Sequence, residues 1–156
     1  MTRLLEAESG AAAAATDPLG GYLVEEQVGF LLRRAHQRHA ALFLEGMAAA
    51  DLTPTQFTAL IKVVELGRAT QNQLGRLVAT DPATIQGVVR RLTARGLVRR
   101  FTDPMDRRTA VLAATPAGVA LAESAVAMAR AITEATLEPL APQERHHFLA
   151  LLRKLA

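Results

Sequence analysis

A mainly α-helical chain with one small β-hairpin is the fold class that this sequence predicts. Three observations lead there. Half of the residues are hydrophobic but only 4% are aromatic, and the abundant Ala and Leu favour helices that approach closely through small side chains. Helix-start signals recur along the chain, each followed by apolar residues at helical spacing. Between residues 97 and 114 the period changes to that of short strands.

The 156 residues suit one domain, or a small domain with appended helices. There is no Cys, which excludes structural disulfides, thiolate zinc sites, cysteine nucleophiles and cysteine redox sensors. The apolar runs fall far short of the about 18 residues of a membrane span. The opening MTRLLEAESGAAAAATDPLGG has acids and no continuous apolar stretch, so residues 1–20 are expected to form a disordered tail, not a signal peptide. A cytoplasmic protein is expected.

Tyr22 to about Ala50 reads as one long helix, roughly 40 Å at about 1.5 Å per residue. In TPTQ, Thr53 caps, Pro54 takes the first helical position and Gln56 completes a capping box. Phe57, Leu60, Ile61 and Val64 then form a buried stripe, and Gly67 ends the helix. TQNQ repeats the device with Thr70 and Gln73, followed by the apolar face Leu74, Leu77 and Val78. Asp81 and Pro82 start a third helix, with the stripe Ile85, Val88, Val89 and Leu92, ending at Gly96. LVRRFT and TAVLAA are two strand-like runs joined by residues 103–108. Thr115 and Pro116 start an Ala-rich helix to about Leu137. After the breaks at Pro139 and Pro142, a last helix runs to Leu155, with Phe148, Leu152 and Leu155 on one side.

Net charge is only +3, yet it is concentrated. Residues 90–108 hold seven arginines (Arg90, Arg91, Arg95, Arg99, Arg100, Arg107 and Arg108) against Asp103 and Asp106. Such a patch suits a polyanionic partner. Two short helices in tight succession followed by a hairpin give the layout of a winged helix-turn-helix, whose second helix enters the major groove of duplex DNA. With the stripe of Ile85, Val88, Val89 and Leu92 facing inward, about 100° per residue places Ala83, Gln86, Gly87, Arg90 and Arg91 outward and Thr84 on the flank. Small residues at 83 and 87 let the backbone approach the groove. Gln86 suits an adenine edge, and Arg90 or Arg91 a guanine or a phosphate. The hairpin is then a wing that brings Arg107 or Arg108 to the minor groove or its phosphates, with Asp106 holding Arg108 extended. A merely solvated, charged surface is the plainer reading of the same residues.

The block TQNQLGRLVATDPATIQGVVRRLTARGLVRRFTDPMDRRTAVLAATPAG resembles the DNA-binding core of the MarR family of bacterial transcriptional regulators. The most specific part is Asp106-x-Arg108 followed by LAATPAG, Leu112 to Gly118. The resemblance extends over residues 22–155. It implies an obligate homodimer in which the first and last two helices intertwine, and two winged lobes that meet a palindromic operator. Residues 21–50 and 115–156 would form the helical dimerisation region and 51–114 the winged lobe. It also implies an effector pocket between the dimer helices and that lobe. The block YLVEEQVGFLLRRAHQRHAALF is similar to the NicR and BpsR type of repressors of nicotinic acid degradation within that family, which implies 6-hydroxynicotinic acid as inducer.

His36 and His39 lie one helical turn apart, on a stripe with Leu32, Phe43 and Met47. Three readings stay open for them: internal hydrogen bonds in a core or interface, the wall of a pocket for an anionic aromatic effector, or part of a metal site completed by His146 or His147. The effector site is expected where the first helix meets the helix beginning at Thr53. Its residues would be Tyr22, Arg33, His36, His39, Phe43 and Gln56, around a small aromatic carboxylate. Phe43 would offer a flat face and a protonated His or Arg a charge-assisted bond. No paired carboxylates, phosphate loop or nucleophile-and-base motif appears, so no catalytic residue, cofactor or resident metal is expected and the chain is not expected to be an enzyme. The alternatives to a ligand-released repressor are a metal-responsive regulator of the same type and a non-specific architectural DNA-binding protein.

Overall fold

The computed structural model describes residues 19–103 and 110–156. The expected tail, residues 1–18 of it, and the wing tip with Asp106, Arg107 and Arg108 lie outside the described residues. The chain forms two compact units, divided between Arg34 and Ala35.

In the first unit the chain turns at Gly20 and Gly21, both at positive φ, and passes through a 3-10 turn, Val24–Glu26. Helix α1, Val28–Gly46, starts here. The single helix expected from Tyr22 is therefore broken before Val28. Gln27 is extended, and its side-chain amide donates to the Leu23 carbonyl at 2.9 Å, closing a local turn in place of a helical one.

The second unit holds the rest of α1, then α2 (Pro54–Leu66), β1 (Ala69–Thr70), α3 (Gln71–Leu77), α4 (Pro82–Ala94), β2 (Val98–Thr102), β3 (Ala110–Ala114), α5 (Pro116–Leu137) and α6 (Pro142–Leu155). The far end of the expected long helix is broken as well. After Gly46 the chain makes a second 3-10 turn, Ala48–Ala50, and Asp51 becomes left-handed at φ 49°. A side chain far along the chain holds the end of this turn. The Arg95 guanidinium donates to the carbonyls of Asp51 and Ala50, taking up acceptors that an ending helix leaves without partners.

The helix starts follow the local chemistry. Thr53 Oγ1 accepts from the Gln56 N–H and Gln56 Oε1 accepts from the Thr53 N–H, a complete capping box. Thr70 Oγ1 accepts from the Gln73 N–H, and only this half of the device forms. Ala141 offers no cap, but its N–H donates to Glu144 at 2.7 Å. Helix α2 buries Gln56, Ala59, Leu60 and Val63, with Phe57, Ile61 and Val64 packed at the margin, a wider face than the expected stripe. Leu77 is 46% exposed instead of joining Leu74 in the core, because α3 lasts only seven residues and turns away at Ala79, left-handed at φ 52°.

The sheet has three antiparallel strands in the order β1-β3-β2. The hairpin pairs Val98 with Ala114 through to Thr102 with Ala110, and β1 adds Ala69 and Thr70 to its other side. One core runs under these elements, with Met47, Leu60, Val63, Leu74, Ile85, Leu92 and Leu112 fully buried. Helix α2 packs on α3, α4, α5 and β3.

Helix α5 leaves the sheet at a tight junction. Thr115 Oγ1 accepts from the Gly118 N–H at 3.1 Å and donates to the Gly96 carbonyl at 2.6 Å. A Cβ on Gly118 would stand 2.0 Å from the Leu97 carbonyl oxygen, so only glycine fits. Gly118→Ala is expected to lower unfolding free energy by about 3 kcal/mol, the upper end of ordinary overpacking, in urea titration followed by circular dichroism. A variant as stable as the parent would show that this junction yields.

Candidate functional site

Helix α4 owes its orientation to its cap and its stripe. Asp81 Oδ1 accepts the N–H groups of Ala83 and Thr84 at 3.0 and 2.9 Å, and Pro82 occupies the first turn. Ile85, Val88, Val89 and Leu92 are buried. On the opposite side Ala83, Thr84, Gln86, Arg90 and Arg91 are exposed and Gly87 is half-buried, the division read from helical spacing. The Thr84 hydroxyl donates to Asp81 Oδ2. That bond, then the backbone bond from Thr84, holds the Asp81 carboxyl below its ordinary value. The cap's stabilisation is therefore present above the ordinary carboxylate pKa and is lost as pH falls through the lowered one.

The turn from α3 to α4 is a Schellman closure. The Thr80 N–H donates to the Gly75 carbonyl at 3.0 Å and the Ala79 N–H to Arg76, with Ala79 in the left-handed position that Gly usually takes. Beyond α4, Arg99 and Arg100 are exposed on β2, and the Arg99 guanidinium lies over the Phe101 ring, 5.4 Å from its centroid. The ion pairs among the described residues are Arg38–Glu138, Lys62–Glu65, Arg95–Asp51 and Arg145–Glu134. Arg90, Arg91, Arg99 and Arg100 thus carry uncompensated charge among those residues. Arg95 belongs to the same cluster in sequence but faces the end of α1.

Of the expected effector residues, Tyr22 and Arg33 belong to the first unit, where Arg33 stacks on Phe30 at 5.1 Å. His36 is exposed. Gln56 is 6% exposed with its amide oxygen held by the capping box, and so it is a structural residue at the start of α2. His39 turns to α5, where Nδ1 lies 3.0 Å from Thr136 Oγ1. Thr136 donates its proton to the Ile132 carbonyl at 2.7 Å, so His39 Nδ1–H is the donor and Nε2 is left without this partner. Phe43 alone of the six lines a groove of about 530 Å³ where α1 meets the start of α2, with Ala40, Leu44, Met47, Leu52 and Pro54. It makes a tilted ring contact with His39 (6.2 Å) and an edge-to-face one with Phe57 (6.0 Å). His146 and His147 are exposed on α6, and among the described residues no three His, Asp or Glu side chains converge as metal ligands do. Sequence reasoning missed the groove's Asp51 and Leu52, which follow an irregular turn without periodicity.

A three-stranded sheet beside two short helices, the second with an exposed polar and basic face, defines a winged-helix DNA-binding regulator. The MarR family model matches residues 52–110. The HTH-type transcriptional repressor NicR of Pseudomonas putida is 42% identical over 86% of this chain and 85% of its own length. The crystal structure of a probable transcriptional regulator from Pseudomonas aeruginosa is 48% identical, with a TM-score of 0.82 over 86% of this chain and 100% of that one. Bordetella bronchiseptica BpsR, whose DNA binding is regulated by 6-hydroxynicotinic acid, is 42% identical, with a TM-score of 0.82 over 87% of this chain and 97% of its own. The chain belongs to the MarR family of transcriptional regulators; it is not an enzyme. No helix among the described residues is long and apolar enough to cross a membrane.

A Cβ on Gly87 would meet only the flexible end of Arg91, at 3.7 Å. The fold does not need glycine there. Gly87→Ala should raise stability by about 0.8–1 kcal/mol through helix propensity, measured by thermal melting. It should also weaken DNA binding by about 1–3 kcal/mol, the usual cost of a methyl forced into a packed contact. Unchanged DNA affinity would mean that the backbone at 87 does not approach the duplex.

Proposed function

We propose that this regulator is a cytoplasmic repressor that binds a palindromic operator as a homodimer and releases it when a small aromatic carboxylate binds. The carrying observation is the exposed face of α4, with Ala83, Thr84, Gln86, Gly87, Arg90 and Arg91, beside the exposed Arg99 and Arg100 of β2. Gln86 reads a base edge and Arg90 or Arg91 takes a guanine or a phosphate. On sequence grounds the wing adds Arg107 and Arg108, with Asp106 holding Arg108. Residues 51–114 act as the DNA-binding lobe and residues 21–50 and 115–156 as the dimerisation region. The apolar side chains exposed on α6, Phe148, Leu151 and Leu155, give that region a surface for a second copy.

The groove at Phe43 is the place for the effector's ring, and 6-hydroxynicotinic acid is the first candidate because BpsR responds to it. The lining residues are apolar apart from Asp51 and Thr53. The hydrogen-bond donor for a carboxylate is sought beside the groove, with His39 and His36 as the candidates. Ligand releases DNA only by binding a lobe spacing incompatible with the operator more tightly than the DNA-bound one.

A duplex selected from a random pool tests the DNA reading. Arg90→Ala should lower the salt slope of binding by about one unit if a phosphate contact is lost. Gln86→Ala should reduce discrimination between selected and scrambled duplex by about 1–3 kcal/mol. Wild-type behaviour in both variants would overturn the assignment of this face.

For the effector, 6-hydroxynicotinic acid and benzoate controls are titrated into the parent, Phe43→Ala and His39→Ala. Acid at 100 times its dissociation constant should stabilise the parent by about 2.7 kcal/mol, and both variants should lose most of that gain. Equal stabilisation of all three proteins would place the ligand elsewhere.

A further inference from the structure

We infer that Thr84 is a specificity-determining residue that acts as a hydrogen-bond acceptor only, selecting an adenine or cytosine edge in the major groove. The inference rests on the proposed reading of DNA by α4. A threonine hydroxyl has one proton and two lone pairs. Here the proton is committed, because Thr84 Oγ1 donates to Asp81 Oδ2. The other carboxylate oxygen is held by the N–H groups of Ala83 and Thr84, so the cap fixes Asp81 and Asp81 fixes the hydroxyl. Thr84 is exposed in the first turns of α4, the part of a recognition helix that reaches base edges.

What remains for the groove is a pair of lone pairs. In the major groove adenine N6 and cytosine N4 carry donors, whereas guanine N7 and O6 and thymine O4 are acceptors. An acceptor-only hydroxyl therefore favours adenine or cytosine on the strand it faces and is repelled by guanine or thymine. Thr84 alone could serve either polarity; Asp81 sets which.

Polarity makes the test sharp. The full-length protein, Thr84→Val and Asp81→Asn are each used to select duplexes from a random pool, and the enriched sequences are compared position by position. The parent should favour adenine or cytosine at one position of each half-site by about tenfold. Thr84→Val keeps the branched shape without the hydroxyl and should flatten that position alone. In Asp81→Asn the amide oxygen can retain the cap, since Asn caps as well as Asp. Its NH2 then donates to one lone pair of Thr84 Oγ1 and frees the hydroxyl proton, which leaves one donor and one lone pair for the groove, so guanine and thymine should now be accepted at that position beside adenine and cytosine. Thermal melting confirms that each variant is folded, and Thr84→Val decides the question alone if the second is not. An unchanged consensus in Thr84→Val would overturn the inference and assign the contact to the methyl group. Continued exclusion of guanine and thymine in folded Asp81→Asn would overturn it as well. A parent that enriches no sequence at all would instead overturn the reading of DNA by α4 from which the inference starts.

Discussion

The Leu97 carbonyl is the point on which the rest of this architecture depends. Leu97 closes α4, because its N–H donates to the Leu92 carbonyl at 2.9 Å, and it leads directly into β2. Its own carbonyl accepts the Thr115 N–H at 3.0 Å. The last turn of α4, the first residue of the wing and the entry to α5 therefore meet at one peptide. Gly118 lets the first turn of α5 lie against that peptide without a side chain between. The direction of α5 is set there, and its other end carries Ile132 into the core and Thr136 to His39. An interior this dense transmits small displacements without absorbing them.

Most helix starts were legible because their causes are local. A Thr or Asp cap answers an N–H two or three residues later, and Pro in the first turn fits without losing a bond, so residues 53, 70, 81 and 115 announced themselves. The two faces of α4 were legible for the same reason: the period of a helix is a property of the segment itself. What the residues did not disclose depends on partners far away in the chain. Strand β1 is two residues long and exists only because β3 pairs with it. The turn after Gly46 is held at its end by Arg95, and the orientation of His39 depends on Thr136, 97 positions later. Gln56 was assigned two tasks from sequence, cap and pocket wall, and its amide oxygen serves the first.

The arginine cluster divides in the same way. Composition gives it one electrostatic meaning, yet its members have different environments. Arg95 holds backbone carbonyls, and Arg99 shares its charge with an aromatic face. Arg90, Arg91 and Arg100 face solvent. Among the described residues, the solvent-facing arginines of the cluster are thus fewer than the sequence counts there, and they lie on the helix and the adjoining strand.

Arg95 has one more consequence. It grips Ala50 and Asp51 from the residue that follows α4, and Asp51 lines the groove beside Phe43. The groove wall and the end of α4 are thus joined through one guanidinium, which bonds backbone at the first and is carried by the second.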